Sequence, residues 1–223
     1  AHIAMINLHV VEDAFIEYES KCLEMMVNLQ SLNSIVSLAN TTDIITIEYD
    51  KSKKQLIVKL EDLEKRMSIL DPFNLAKSHI PHIDLPAMIK VDSGKLQKGF
   101  LASKAVTDSV KLSITPDSFE MIANGKIERV ILNLQKKDLI EHDSITLQQS
   151  RYSVDYLNEI TKKFPAGNTV KILMGENQPL QMEYVFAEGN GYLTYMQAPR
   201  IEDESHDSSD EPLLPADKDS VNC

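Results

Sequence analysis

Three groups of side chains in this chain have types and spacings that chemistry uses. His79, His82 and Asp84 form a His-x-x-His-x-Asp string, a donor set of the kind that holds a divalent metal. Pro81 interrupts any shared helical face and no other ligand cluster accompanies the string, so a plain connector is the simpler reading. Asp155 and Glu159 stand one helical turn apart and could act as an acid–base pair. A solvated helix face explains them more simply. The chain has no Gly-rich phosphate loop, no Gly-x-Ser-x-Gly turn and no His-Glu-x-x-His. No catalytic residue, no metal site and no cofactor is therefore assigned, and the protein is read as a non-enzyme.

The third group is cationic. Residues 93–106 carry Lys95, Lys98 and Lys104 without a single acid. On a helix Lys98 projects opposite the Leu96/Phe100 side, with the other two on its flanks. Such a stripe suits an electrostatic track for phosphates, and it suits an ordinary solvated helix; charge alone does not separate the two. Lys162 and Lys163 close a second helical segment, where they also favour its C-terminal dipole.

These residues sit in a body of short strands. Alternating or apolar segments at 4–10, 43–49, 54–60 and 65–70 read as strands, as do 87–91, 109–114, 118–123, 128–134, 168–174, 180–187 and 192–198. Asn124-Gly125 and Gly189-Asn190-Gly191 read as hairpin turns that use positive φ. Three segments have helical period: 30–39, 93–106, and 153–163 with Ser153 as its cap.

The pattern is stated twice. At an offset of about 125 residues, Ile6-Asn7-Leu8 falls on Leu132-Asn133-Leu134, Leu32-Asn33-Ser34-Ile35 on Leu157-Asn158-Glu159-Ile160, and Asp43–Ile47 on Asn168–Ile172. Met67–Leu70 falls near Leu193–Met196. The second copy has about 45 residues ahead of the shared part, including helix 93–106, where the first has five. The first domain is thus expected to be N-terminally incomplete. The expected division is 1–70 for that domain, 71–86 for a Pro-containing connector, 87–201 for a second domain and 202–223 for a tail.

Composition narrows the class. The 223 residues suit two domains with cores of their own. No apolar run reaches the roughly 18 residues of a membrane span, and no signal-peptide pattern is seen. Cys22 and Cys223 lack a disulfide-like spacing, which points to a reducing, intracellular setting. Eight acids and one lysine after Ile201 give a net −7 of the chain's −11, leaving a mildly acidic body and a tail expected to be disordered.

The end of the body carries the most specific string. Tyr192-Leu193-Thr194-Tyr195-Met196-Gln197-Ala198-Pro199-Arg200-Ile201-Glu202 places a ladder-ending proline beside apolar Met196, Ala198 and Ile201, a plausible peptide groove or a core edge. It resembles the C-terminus of the proliferating cell nuclear antigen (PCNA) family of DNA sliding clamps. The resemblance extends to Ala1-His2-Ile3-Ala4, Ile80-Pro81, Lys90-Val91-Asp92-Ser93-Gly94 and Tyr156-Leu157-Asn158. Asp84-Leu85-Pro86-Ala87 is similar to archaeal members.

The resemblance implies an α+β clamp fold, two similar domains with antiparallel sheets outside and helices on an inner face, and a head-to-tail trimeric ring around double-stranded DNA, bound without sequence preference. It implies Lys95, Lys98, Lys104, Lys162 and Lys163 facing DNA. It also implies a pocket from His2, Ile3, Ile80, Pro81, Pro179, Met196, Ala198, Pro199, Arg200 and Ile201 for partners bearing a short glutamine/aromatic motif: DNA polymerase, clamp loader, flap endonuclease and DNA ligase. Strand 65–70 would join strand 128–134 of the next subunit. Ser34 and Ser37 stand where the family often has lysine, and Met196 where it often has an aromatic. The implied setting is cytoplasm or nucleoid in an archaeon and nucleus in a eukaryote, with no membrane partner. The alternatives are a subunit of a heteromeric or checkpoint-type clamp, a peptide-binding adaptor that does not encircle DNA and, third, a metal hydrolase using His79, His82 and Asp84.

Overall fold

The computed structural model describes residues 3–20, 24–70 and 83–200. The chain forms two compact units, Ile16–His79 and a larger one that joins Ala1–Phe15 to Ile80–Cys223.

The larger unit begins with β1 (Ala4–Val10) and resumes with β5 (Ala87–Asp92), α2 (Ser93–Val106), β6 (Ser109–Ile114), β7 (Ser118–Asn124), β8 (Arg129–Gln135) and β9 (Glu141–Asp143). It ends with β10 (Gln148–Ser153), α3 (Val154–Thr161), β11 (Thr169–Met174), β12 (Leu180–Phe186) and β13 (Gly191–Gln197). Two antiparallel sheets result, ordered β1-β13-β12-β11-β5-β9 and β10-β6-β7-β8. Alternation decides which face is buried: Ala87, Ile89 and Val91 on β5 and Phe119, Met121 and Ala123 on β7 all point into one core. Leu96 and Phe100 of α2 and Leu157 and Ile160 of α3 complete it.

α2 starts without a loop because Asp92 ends β5 and caps the helix, its carboxylate accepting from Lys95 N at 3.1 Å. Its inward residues are small as well as apolar. A Cβ on Gly99 would lie 2.9 Å from Met121 Sδ and 3.0 Å from Leu132 Cδ2, so the helix sits close on the β7–β8 pair and a side chain there would require those side-chain ends to shift. Ser93 ties the helix start to the turn after α3, donating to Pro165 O at 2.6 Å.

The smaller unit holds α1 (Leu29–Val36), β2 (Ile45–Asp50), β3 (Gln55–Leu60) and β4 (Leu63–Ser68), the strands forming one antiparallel sheet in that order. Asn28 caps α1 by accepting from Ser31 N at 2.8 Å. Ile35, Leu56, Val58 and Met67 form its core, with Leu32 packed against them. The succession α1-β2-β3-β4 repeats as α3-β11-β12-β13, the structural form of the duplication seen in the sequence.

Several local expectations are corrected. β9 and β10 are strands beyond those the sequence pattern predicts, since β10's inward positions are Ser150 and Tyr152 rather than aliphatic residues. Ser153 stands at the N-cap of α3 but its side chain makes no capping bond; it is buried, and its carbonyl accepts from Gln197 Nε2 at 3.1 Å. Asn124-Gly125 opens a four-residue loop, since Asn124 pairs with Arg129, and Gly125 has no positive φ. It is required for space: a Cβ there would fall 2.6 Å from Val106 Cγ1 and 2.8 Å from Val106 O. Gly189 does use positive φ, at 99°.

Candidate functional site

α2 and α3 lie side by side in the larger unit. Gln97 Nε2 on α2 donates to Thr161 O at the end of α3 at 2.9 Å and also to Phe164 O, so a side-chain amide fastens the helix pair. With Leu96, Gly99, Phe100 and Ser103 buried, the 3.6-residue period turns Lys98, Leu101 and Lys104 outward. On α3, Leu157 and Ile160 go inward and Asp155, Tyr156 and Glu159 go outward, followed by exposed Lys162 and Lys163. The lysines of the two helices therefore share one layer.

Their electrostatic states differ. Lys104 Nζ is 2.9 Å from Asp155 Oδ1 and 4.0 Å from Glu159 Oε1, and Lys162 Nζ is 2.8 Å from that same Glu159 oxygen. The hydrogen bond to Asp155 raises the Lys104 ammonium above its ordinary value. The bond from Lys162 holds the Glu159 carboxyl below its own. Lys95 Nζ is turned aside to Asp138 O at 2.9 Å. Lys98 has no acidic partner among the described residues, and Lys163 acts on Glu159 through its charge without a direct ion pair. Sequence alone marks α2 as free of acids, but packing brings two carboxylates of α3 to its surface.

A second region forms where β13 ends. Ala198 N donates to Ile3 O at 2.9 Å, extending the β1–β13 ladder past the Ala4–Gln197 pair. Arg200 N then donates to Arg151 O and its guanidinium reaches Asp108 Oδ2, both at 2.8 Å, so the segment after Pro199 is held along β10. Pro179 precedes Leu180, which pairs with Gln197 on the other side of β13. Ile3 is 49% exposed and Ala198 is exposed, whereas Met196 is 4% exposed. The structure thus gathers Ile3, Pro179, Ala198, Pro199 and Arg200 about one strand end. His2, Ile80, Pro81 and Ile201, together with His79 and His82, lie outside the described residues.

Gln197 was missed by the sequence reading. It accepts from Tyr195 Oη at 2.6 Å and donates to Ser153 O, joining the strand end to the start of α3 through a buried polar relay. Burial pushes the Tyr195 phenol above its ordinary value, and Tyr152, whose hydroxyl donates to Gln178 O at 2.8 Å, is pushed up to about 12 for the same reason. The available signal was a glutamine inside an otherwise apolar strand. Among the described residues no group of three or more His, Cys, Asp or Glu side chains is placed to hold a metal. No described helix is long and apolar enough to cross a membrane.

Family models match along the chain: the proliferating cell nuclear antigen N-terminal domain over residues 1–79 and its C-terminal domain over residues 79–200. The DNA polymerase sliding clamp of Natronomonas pharaonis is 31% identical over 209 residues, covering 92% of this chain and 83% of that protein. That of Methanococcoides burtonii is 30% identical over 205 residues with the same coverage. Among solved structures, A. fulgidus PCNA bound to the C-terminal region of FEN-1 superposes with a TM-score of 0.83 at 27% identity, over 91% of this chain and 82% of that one. PCNA from Thermococcus kodakaraensis shares the fold, with a TM-score of 0.79 at 24% identity over 89% and 82% of the two chains. With both halves matched by the family's two domain models and relatives at this level over most of its length, the chain belongs to the proliferating cell nuclear antigen family of sliding clamps.

Proposed function

We propose that this protein is a sliding-clamp subunit, a ring-forming processivity factor that tethers a DNA polymerase and other replication or repair proteins to DNA and catalyses no reaction itself. The observation that carries this reading is the shared outward layer of α2 and α3. Lys98, Lys104, Lys162 and Lys163 supply diffuse positive charge to phosphates, with Lys95 at the flank. Phosphate contacts of this kind position without reading sequence, so they permit sliding while topology prevents escape.

Ring closure is supported by the duplication. Within the larger unit, β1 from the first copy pairs with β13, the last strand of the second. Their repeat counterparts are β8 and β4, and each stands at the edge of its sheet. Pairing strand 65–70 of one chain with strand 128–134 of the next would repeat the in-chain junction head to tail. A heterologous contact of this type closes into a ring when its rotation allows, and three subunits is the number the family likeness favours. The domain reading of 1–70, 71–86, 87–201 and 202–223 belongs to this proposal.

The strand end at Ile3, Pro179, Met196, Ala198, Pro199 and Arg200, extended by His2, Ile80, Pro81 and Ile201, is the proposed peptide pocket. A. fulgidus PCNA carries a partner's C-terminal region, which favours the same use here for polymerase, clamp loader, flap endonuclease and ligase motifs. Hydrophobic anchoring outside the ring raises the partner's effective concentration at the primer end. An intracellular, DNA-associated location follows.

The test separates the two surfaces. Lys98→Glu combined with Lys162→Glu is expected to abolish retention on DNA while leaving affinity for a glutamine/aromatic motif peptide unchanged. Equal loss of both would contradict the assigned roles.

A further inference from the structure

The positive layer on α2 and α3 contains its own counterions. Asp155 and Glu159 are four residues apart, which puts both carboxylates on one side of α3. That side meets α2: Asp155 holds Lys104 at 2.9 Å, and Glu159 lies between Lys162 at 2.8 Å and Lys104 at 4.0 Å. Neither carboxylate is needed to satisfy a buried group, since both side chains are more than half exposed. The Glu159 carboxyl is held below the ordinary range, chiefly by the hydrogen bond from Lys162. Lys98, on the same outward side of α2, carries no such partner.

We propose that Asp155 and Glu159 act as built-in competitors of DNA phosphate for Lys104 and Lys162, setting how strongly the lysine layer grips the duplex. This rests on the reading that the layer faces DNA. An exposed ion pair at these distances is weak and exchangeable. Each of the two lysines can therefore leave its carboxylate for a passing phosphate and return when that phosphate moves on. Exchange between an internal and an external anion keeps any single contact from arresting a sliding ring. It also lowers the number of counterions released per binding event, because a lysine already neutralised by a carboxylate recruits fewer phosphates. Lys98 would provide the constant part of the attraction, Lys104 and Lys162 the adjustable part.

The test measures binding of the full-length assembled protein to a short fluorescent duplex by anisotropy over a range of salt concentrations. Asp155→Asn combined with Glu159→Gln is expected to tighten binding at every salt and to steepen the slope of log K against log salt by about 1.8, two phosphates at about 0.9 each. Asp155 lies in the first turn of α3, where its charge also favours the helix. Glu159→Gln alone is therefore the second variant, expected to steepen the slope by about half as much. Glu176→Gln with Glu188→Gln makes the same change in net charge outside both helices and is expected to leave the slope unaltered. If the control steepens the slope equally, the effect is bulk charge and the inference fails. Lys98→Ala separates the two levels of the argument. If it weakens duplex binding while the α3 variants leave the slope unchanged, the competitor role is wrong and the DNA-facing layer stands. If Lys98→Ala has no effect on duplex binding, the DNA-facing reading fails, and this inference fails with it.

Discussion

At the scale of single residues, the proposed grip on DNA depends on which lysines are already neutralised. Glu159 gives that state a pH signature. Its carboxyl lies below its ordinary value of 4.5, chiefly through the hydrogen bond from Lys162. A carboxyl depressed in the folded state stabilises the fold above its ordinary value, and that contribution disappears as pH falls through the lowered one. Lys162 is released in the same acid window. Duplex affinity is expected to be flat across neutral pH and to rise on acidification below 4.5, with Glu159→Gln removing part of that rise; anisotropy titrations of both proteins over pH check this. An identical pH profile for parent and variant would contradict it. The outward position of Lys98 is legible in the sequence because Leu96 and Phe100 fix the helix face. The pairing of Lys104 is not, because its partners come from a helix about fifty residues further on.

Elements sit where the sequence pattern places them wherever burial follows a simple period. The alternation in β5 and β7 and the helical spacing in α2 and α3 are of this kind. β10 escapes because Ser150 and Tyr152 do the inward packing, and polar types there break the expected alternation. Glycines show the same limit. Asn124-Gly125 looks like a conformational turn signal, yet what the fold requires at Gly125 is room beside the last residue of α2. Gly125→Ala would press a methyl against the Val106 backbone carbonyl and is expected to cost about 1–3 kcal/mol. Gly99→Ala meets only side-chain ends of Met121 and Leu132, and alanine gains up to about 1 kcal/mol of helix propensity. It should therefore be the milder change. Chemical denaturation of the two variants decides the order, and a more stable Gly125→Ala protein would refute the packing argument.

For the whole molecule, the duplication turns a local observation into a proposed assembly. One strand junction is closed inside the chain, β1 with β13, and its counterparts β8 and β4 are sheet edges. Ile131 on β8 is 52% exposed, an apolar side chain on an open edge that a neighbouring chain would cover. Native mass measurement is expected to give three times the chain mass of 25.1 kDa, and Ile131→Asp is expected to shift it to a single chain with the same secondary structure by circular dichroism. A native single chain would contradict head-to-tail pairing. The repeat was visible in the sequence as a series of weak matches in one order. Which strands it leaves open is implied beforehand only by the family resemblance, and the sheet order puts both at an edge.

The central claim is that this protein holds DNA by encircling it, with α2 and α3 facing the duplex. Its most direct test is retention after loading by a clamp loader, compared on closed circular duplex and on the same duplex cut once. The account predicts that the protein stays on the circle through salt washes that remove direct binding and runs off when the circle is cut. Equal retention on both forms, or equal loss from both, would contradict it.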